Sequence, residues 1–377
     1  MRLKSLHLQQ YRNYSDLSLE FDPNEPITTI VGPNAQGKTN ILEAMYLLAL
    51  TKSFRTNKSQ DLVQWGTDYC RVQGELETAE ETLQLECFYG IPPQPTRALK
   101  MNKVKTSSVK FIGNCQIVFF HPEDLNMLYL GPDLRRRYLD ILNIQISRRY
   151  YTALRTYNRI RQQRNSLLKQ IKEGFASVQD LEIWDQQLCE QGEILIEERQ
   201  KTIDYMNSRL SEIYANISQK DDHAQVNYDK ALAGQPTLEE ALKTSLQRDL
   251  AAQFTTVGPH RDDMEFILNG RPLSSHASRG EYRSLLLALK LLELTFYEEK
   301  TNEKPILLLD DVFSELDPDR QQMLLDSIKG CQTIITTTHI EKYLESRTHA
   351  GLKAIKQGIL TPHIGNIHSS FMAAVAK

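Results

Sequence analysis

Gly32-Pro33-Asn34-Ala35-Gln36-Gly37-Lys38-Thr39 fits G-x-x-x-x-G-K-[ST], the phosphate-binding loop of nucleoside triphosphatases. Thr28-Thr29-Ile30-Val31 before it reads as a strand, and Asn40-Ile41-Leu42-Glu43-Ala44-Met45 after it reads as a helix. That setting separates a site from a glycine-rich turn with a chance lysine. The glycines let several backbone N–H groups converge on one phosphate, and the helix N-terminus adds partial positive charge. Gly32 through Asn40 are therefore candidate nucleotide contacts. Lys38 is expected to reach the β- and γ-phosphates, and the Thr39 hydroxyl to ligate Mg2+.

The whole chain of 377 residues is long enough for one large domain or two ordinary ones. Its 40% hydrophobic and 25% charged residues suit a soluble globular protein. With a formal charge of -3 and a pI near 6.3, any surface for nucleic acid must be local. Cys70, Cys87, Cys115, Cys189 and Cys331 are scattered without a C-x-x-C pair, which reads as reduced thiols rather than disulfides or zinc. The N-terminus lacks the apolar run of a signal peptide, and no stretch approaches a membrane span, so a cytoplasmic protein with no membrane partner is expected.

The C-terminal third says which kind of triphosphatase this is. Pro305-Ile306-Leu307-Leu308-Leu309-Asp310-Asp311 is a continuous apolar run ending in two carboxylates, as in a strand buried on both faces of a mostly parallel sheet. Asp310 stands where ligands bind in such sheets and is a candidate Mg2+ residue. Asp311 is the candidate to polarise an attacking water. Ser278-Arg279-Gly280 precedes a strongly apolar helix and makes a second phosphate-binding surface by the same dipole logic. One γ-phosphate does not need two such surfaces, so Ser278 and Gly280 are expected on the nucleotide of a second copy. His339, at the end of the β-branched run Thr333–Thr338, reads either as a γ-phosphate sensor or as plain surface.

This ordered set resembles the ABC-type ATPase heads, which carry a Walker A, a Q-loop, a signature, a Walker B, an S-x-L-D loop and a switch histidine. The resemblance implies that Gln116 is the Q-loop glutamine and touches Mg2+, that Asp317 closes the S-x-L-D loop, and that Lys38, Asp311 and His339 serve catalysis. Arg12 matches an arginine that reaches the nucleotide in SMC- and Rad50-like heads; its other reading is an exposed hairpin residue. Two departures stand out. Arg279 and Glu281 replace the Gly and Gln of a transporter signature, and Asp311 stands where most such ATPases have Glu. The shorter carboxylate predicts slow hydrolysis.

Between Gln116 and the signature the chain reads largely as helix. Leu139, Ile146, Ala153, Ile160 and Leu167 repeat every seven residues, as do Ile196, Ile203, Leu210 and Ile217, with Met206 and Ile213 between. The two seams predict a short antiparallel coiled-coil hairpin with Gly174 in its connection. Nine arginines and one acid, Asp140, lie between Arg135 and Arg164, a local charge of +8. Arg148, Arg155 and Arg159 share one helical face. Arg135, Arg136, Arg137, Arg148, Arg149, Arg155 and Arg159 are the candidate DNA contacts, because guanidinium suits bidentate phosphate contact. Two blander readings remain: arginines paired with acids of the other helix such as Glu197 and Glu198, and Arg135 and Arg136 as structural residues.

Three further stretches narrow the resemblance. Leu8-Gln9-Gln10-Tyr11-Arg12-Asn13-Tyr14, Gly131-Pro132-Asp133-Leu134-Arg135-Arg136-Arg137-Tyr138-Leu139-Asp140 and Thr256-Val257-Gly258-Pro259-His260-Arg261-Asp262-Asp263 are similar to motifs of the RecF family of bacterial recombination mediators. That family's signature also has the form Ser-Arg-Gly, and its second Walker B acid is Asp. The resemblance implies an α/β ABC-type ATPase head (lobe I) from both chain ends, 1–120 and 256–377, with an inserted mainly α-helical arm (lobe II), 121–255. It implies ATP and Mg2+ as cofactors, an ATP-dependent homodimer, and a weak DNA-stimulated ATPase used as a switch. It further implies binding of double-stranded DNA near single-strand gaps, action with RecO and RecR to help load RecA, and a part in gap repair and the SOS response. The tail after Pro362 is expected to be a peripheral cap on the head.

Overall fold

The computed structural model describes residues 1–93, 96–338, 352–356 and 359–362. Its strands are β1 (Arg2–Tyr11), β2 (Tyr14–Glu20), β3 (Ile27–Val31), β4 (Tyr69–Glu77), β5 (Thr82–Gly90), β6 (Thr96–Met101), β7 (Val104–Thr106), β8 (Ile117–Phe120), β9 (Ala224–Asp229), β10 (Asp263–Leu268), β11 (Arg271–Pro272), β12 (Ile306–Asp310), β13 (Thr333–Thr337), β14 (Leu352–Lys356) and β15 (Ile359–Pro362). Its α-helices are α1 (Lys38–Leu50), α2 (Ser108–Phe111), α3 (Asn126–Tyr129), α4 (Pro132–Ile144), α5 (Arg148–Lys172), α6 (Glu182–Ser218), α7 (Leu238–Ala252), α8 (Leu273–His276), α9 (Arg279–Thr301) and α10 (Pro318–Ser327).

By Cα proximity the chain divides into two compact units. Of the described residues, those in 1–111, 117–122 and from 303 onward form the first, and those in 112–116 and 123–302 the second. This differs from the expected boundary at 256, because 256–302 groups with the second unit. The cause is packing: α9 lies against α6 and β10 pairs with β9, and both partners belong to the stretch assigned to the arm.

The first unit holds two six-stranded sheets. One has the order β15-β14-β3-β13-β12-β8, in which β14, β3, β13, β12 and β8 run parallel and β15 returns antiparallel. Ile306–Leu309 and Thr333–Thr337 are buried throughout, so the apolar run before Asp310 is a central strand covered on both faces. β13 pairs with β3 from Thr333↔Ile27 to Thr337↔Val31, which brings the two ends of the chain into one sheet. The other sheet, β2-β1-β4-β5-β6-β7, is antiparallel and alternates buried with accessible residues along β5. Helix α1 touches strands of both sheets, and buried residues fill it from Ile41 to Leu50. A helix that is apolar all round needs such a two-sided setting.

In the second unit α5 and α6 pack as a hairpin. Arg164, late in α5, meets Asp185, early in α6, while Arg149 and Tyr150 meet Glu197 and Arg199. The pairing therefore runs antiparallel, as the two seams predict, and Gly174 lies in the connection with φ +82°. The first seam is interrupted: α4 ends at Ile144, and Ser147 caps α5 by accepting a hydrogen bond from the Tyr150 amide. A serine side chain that satisfies an orphan N–H restarts the helix, and a heptad count does not reveal this. Met206, Leu210 and Ile217 are buried as expected, but this half of α6 packs on α9 and β9 rather than on α5. The three-stranded sheet β11-β10-β9 had no counterpart in the helical reading of the arm. All five cysteines are free thiols, and among the described residues no helix is long and apolar enough to cross a membrane.

Candidate functional site

The phosphate loop links β3 to α1, with Pro33, Asn34 and Ala35 exposed and Lys38 buried. Two glycines are required by the close approach of neighbours. A Cβ on Gly32 would stand 2.5 Å from the Ile355 carbonyl oxygen. Gly37 has φ +102°, and a Cβ there would stand 2.5 Å from the Asn13 amide. Gly37 is also the N-cap of α1, gives no side-chain cap, and is followed by no acid in the first turn. The positive end of the helix is left for an anion. The Lys38 ammonium donates to the loop's own carbonyls, Gly32 at 2.7 Å and Pro33 at 3.0 Å. Burial lowers its pKa, opposed by the charges of Asp311 and Asp310.

Asp310 and Thr39 come together as expected for a shared cation. The Thr39 hydroxyl donates to Asp310 Oδ1 at 3.0 Å, and Thr336 donates to the same oxygen at 2.6 Å. A hydroxyl and a carboxylate oxygen at one point make a donor set suited to a hard ion such as Mg2+. Asp311 breaks the strand: its φ of 55° is left-handed, and its amide donates to the Thr336 carbonyl at 3.0 Å. Its Oδ1 is buried without a hydrogen-bond partner among the described residues. An unpaired buried carboxylate oxygen is costly. It marks the side chain that is left for a reacting group.

The β1–β2 hairpin supplies groups that motif spacing missed. Tyr14 donates to the Gly37 carbonyl at 2.9 Å, and the Asn13 amide donates to the Gln36 carbonyl at 3.3 Å. Asn40 donates to Asn13 at 2.7 Å and accepts from Arg55 at 2.8 Å, which brings an exposed guanidinium to the edge of the loop. Arg12 is held by α1: it donates twice to Glu43, at 2.8 and 2.6 Å. Glu43 is fully buried and also accepts from Tyr11 at 2.9 Å and Ser53 at 2.5 Å. The signal in the sequence was a glutamate inside an apolar helix, which must be paired if it is buried.

Ser278 is the N-cap of α9 and forms a capping box with Glu281, whose carboxylate accepts from the Ser278 amide at 2.6 Å. The Glu281 that departs from the transporter signature is therefore the N3 residue of this box. Ser278, Arg279 and Gly280 are all exposed. Asp317 caps α10 by accepting from the Arg320 amide at 3.0 Å. Gln116 is buried and donates to the carbonyls of Gly113 at 2.7 Å and Gln145 at 3.2 Å within the second unit. His339 and the tail after Pro362 lie outside the described residues.

The candidate DNA arginines separate into two kinds. Arg135 is bidentate to Asp263 at 2.7 and 2.8 Å, and Arg136 donates to the Asp262 carbonyl at 2.6 Å and pairs with Asp133. Arg135 is thus engaged by a fixed carboxylate, whereas Arg136 is held by a main-chain carbonyl and an exposed acid. Arg149 pairs with Glu197 at 3.5 Å and Glu198 at 3.9 Å but stays exposed. Arg137, Arg148 and Arg159 are exposed with no ion pair among the described residues. Arg155 is exposed over the Tyr151 ring, 5.8 Å from its centre. The arginine face of α5 is thus open to solvent.

The chain is similar to known proteins. The RecF/RecN/SMC N-terminal domain family matches residues 2–361. The DNA replication and repair protein RecF of Lachnoclostridium phytofermentans is 40% identical over 347 residues, spanning 92% of this chain and 95% of that protein. RecF of Lysinibacillus sphaericus is 36% identical over 375 residues, spanning 96% and 99%. The structure of the recombination mediator protein RecF-ATP in the RecFOR pathway superposes with a TM-score of 0.87 at 34% identity, covering 96% of this chain and 97% of that one. The Smc head bound to the C-winged helix domain of ScpA shares the fold alone, with a TM-score of 0.55 at 14% identity over 98% and 99%.

Proposed function

The chain belongs to the RecF family of DNA replication and repair proteins, and we propose that it is an ATP-gated DNA-binding switch of recombinational repair. The observation that carries this reading is the meeting of Thr39 with Asp310 at the mouth of the phosphate loop, beside a buried Lys38 and an unpartnered Asp311 oxygen. On binding ATP, Lys38 exchanges the Gly32 and Pro33 carbonyls for phosphate oxygens. Thr39 and Asp310 are the residues to hold Mg2+, which would supply charge neutralisation on the phosphates. Asp311 orients the attacking water and accepts its proton as ADP and phosphate form. Its short side chain holds that water loosely, so turnover is slow.

The exposed Ser278-Arg279-Gly280 turn is the surface offered to the nucleotide of a second copy, making ATP the bond of a homodimer. Gln116, Arg12, Asp317 and His339 complete the nucleotide site by family resemblance, with Arg12 reaching it only if it leaves Glu43. The head function thus draws on 1–120 and 256–377 and the arm on 121–255, whatever the grouping by proximity. Duplex DNA, at gaps, meets the open arginine face of α5, with RecO and RecR as partners, RecA as the protein loaded, and the cytoplasm as the compartment. Ser278→Arg tests the dimer. Sedimentation with ATP should show a monomer that still binds ATP; a normal ATP-dependent dimer would remove the signature from the interface.

A further inference from the structure

The turn Gly258–Asp262 has an electrostatic oddity that the nucleotide site and the α5 face leave unused. The Arg261 amide donates to the Gly258 carbonyl at 2.8 Å, closing the turn. The His260 ring is wedged beneath it, with Nε2 at 3.0 Å from the Thr255 carbonyl and Nδ1 at 2.7 Å from the Tyr157 hydroxyl. A carbonyl can only accept, so Nε2 carries the proton and Nδ1 accepts from Tyr157. Burial, reinforced by Arg161, Arg261 and Arg136, pulls the His260 pKa down to about 3, so the ring is neutral and adds no charge of its own.

Three guanidinium groups surround this turn. Arg136 donates to the Asp262 carbonyl at 2.6 Å and pairs with Asp133, an exposed acid that a phosphate can displace. Arg261 leaves the turn over the Phe254 ring, 5.1 Å from its centre. Arg161 stands one helical turn beyond Tyr157 on α5, on the same face. The acids of the turn are committed elsewhere. Asp262 accepts from Arg199 at 3.2 Å, from the Ala231 amide at 2.9 Å and from Tyr228, while Asp263 holds Arg135. Arg161 and Arg261 have no ion pair among the described residues, and Arg161 Nε is buried with no hydrogen-bond partner. Burial together with the neighbouring charges of Arg261 and Arg136 lowers the Arg161 pKa. Clustering like charges around one half-buried guanidinium is unfavourable without an anion to bridge them.

We propose that Arg161, Arg261 and Arg136 at the Gly258–Asp262 turn form a site for one phosphate group of a nucleic-acid strand. The site rests on the reading that this protein binds duplex DNA, but it is separate from the exposed face of Arg148, Arg155 and Arg159. Guanidinium geometry suits two phosphate oxygens at once, and the neutral His260 with its Tyr157 and Thr255 partners fixes the floor. The phosphate can be an internal diester or a 5′-terminal monoester, since both present the same oxygens.

The test uses the full chain with ATP and a gapped duplex, prepared with and without a 5′-phosphate at the gap. Arg261→Gln is expected to weaken binding about tenfold and to lower the salt slope by about 1, with thermal unfolding and ATP affinity as folding controls. Arg161→Lys, which keeps charge but loses the fork, should fall between wild type and Arg161→Gln. A loss equal on both duplexes assigns the site to an internal phosphate, and a loss confined to the phosphorylated duplex assigns it to the strand end. Unchanged affinity and slope in both Arg261→Gln and Arg161→Gln, while the wild type binds the duplex, would overturn the site and leave the DNA reading standing. Wild type that binds no duplex would overturn both.

Discussion

The strand ends of the first unit and the helices of the second manage charge in opposite ways. Around the phosphate loop, charged groups are held provisionally: Lys38 by main-chain carbonyls, Asp310 by hydroxyls, and one oxygen of Asp311 by nothing among the described residues. Inside the helical hairpin, two buried arginines are committed to fixed partners. Arg164 is wholly buried and meets Asp185 at 2.5 Å, Asp249 at 2.7 Å and Thr255 at 2.9 Å. Arg199 donates to Tyr150, Pro259, Asp262 and Asp140 at 2.6–3.2 Å. A committed buried pair contributes specificity and costs much to break, whereas a provisional one costs little to exchange for a ligand. The difference marks which charges belong to the fold and which to the function.

Substitutions should separate the two classes. Arg199→Ala takes the paired cation from Asp140 and Asp262 and is expected to lower unfolding free energy by about 3–5 kcal/mol in denaturant titration. A loss near zero would mean that the network is dispensable. Lys38→Ala removes a group whose native partners are carbonyls the loop can leave to water. It should cost little stability yet weaken ATP binding at least about tenfold by calorimetry, since a charge-assisted contact to phosphate is lost. A stability loss as large as that of Arg199→Ala would erase the distinction.

Legibility in the sequence followed the same division. The loop, its helix, the buried strand before Asp310 and the antiparallel hairpin were readable because backbone geometry imposes a spacing on them. Ser278 was placed at a helix start, and Glu281 then proved to be its capping partner. Partner choice has no period. Arg135 and Arg148 look alike in sequence, but Arg135 is spoken for by Asp263, a residue 128 positions away. Arg12 and Glu43 join across 31 positions, and the interruption of the first seam depends on one serine. Strands β9 to β11 were missed because short strands among long helices carry too little alternation to stand out.

The exposed arginines sharpen the contrast at a smaller scale. Arg148, Arg155 and Arg159 replaced together by Ala should leave unfolding midpoints within about 0.5 kcal/mol of wild type, as exposed sites do. The salt slope of duplex binding should fall by up to about 3. An unchanged slope would move the duplex away from this face of α5, without touching the committed arginines.

The finest test concerns a charge that is committed but overcrowded. Lys290 is buried and shared by Glu293 at 3.0 Å and Asp124 at 3.2 Å. Burial would lower its pKa, but the two carboxylates outweigh that and raise it, so the ammonium stays charged. One cation does not fully serve two acids, and burial raises Glu293 from 4.5 to about 7 despite the lysine. A carboxyl whose folded pKa lies above its unfolded value takes up a proton on folding. Its contribution is complete below about pH 4.5 and is lost as pH rises towards 7. Between pH 5 and 7.5 the unfolding free energy should therefore fall by on the order of 1 kcal/mol through this group. Glu293→Gln should flatten that part of the profile, read as urea midpoints at the two pH values. Identical slopes for variant and wild type would show that Lys290 serves Glu293 and Asp124 equally, so that crowding alone leaves neither acid short of charge.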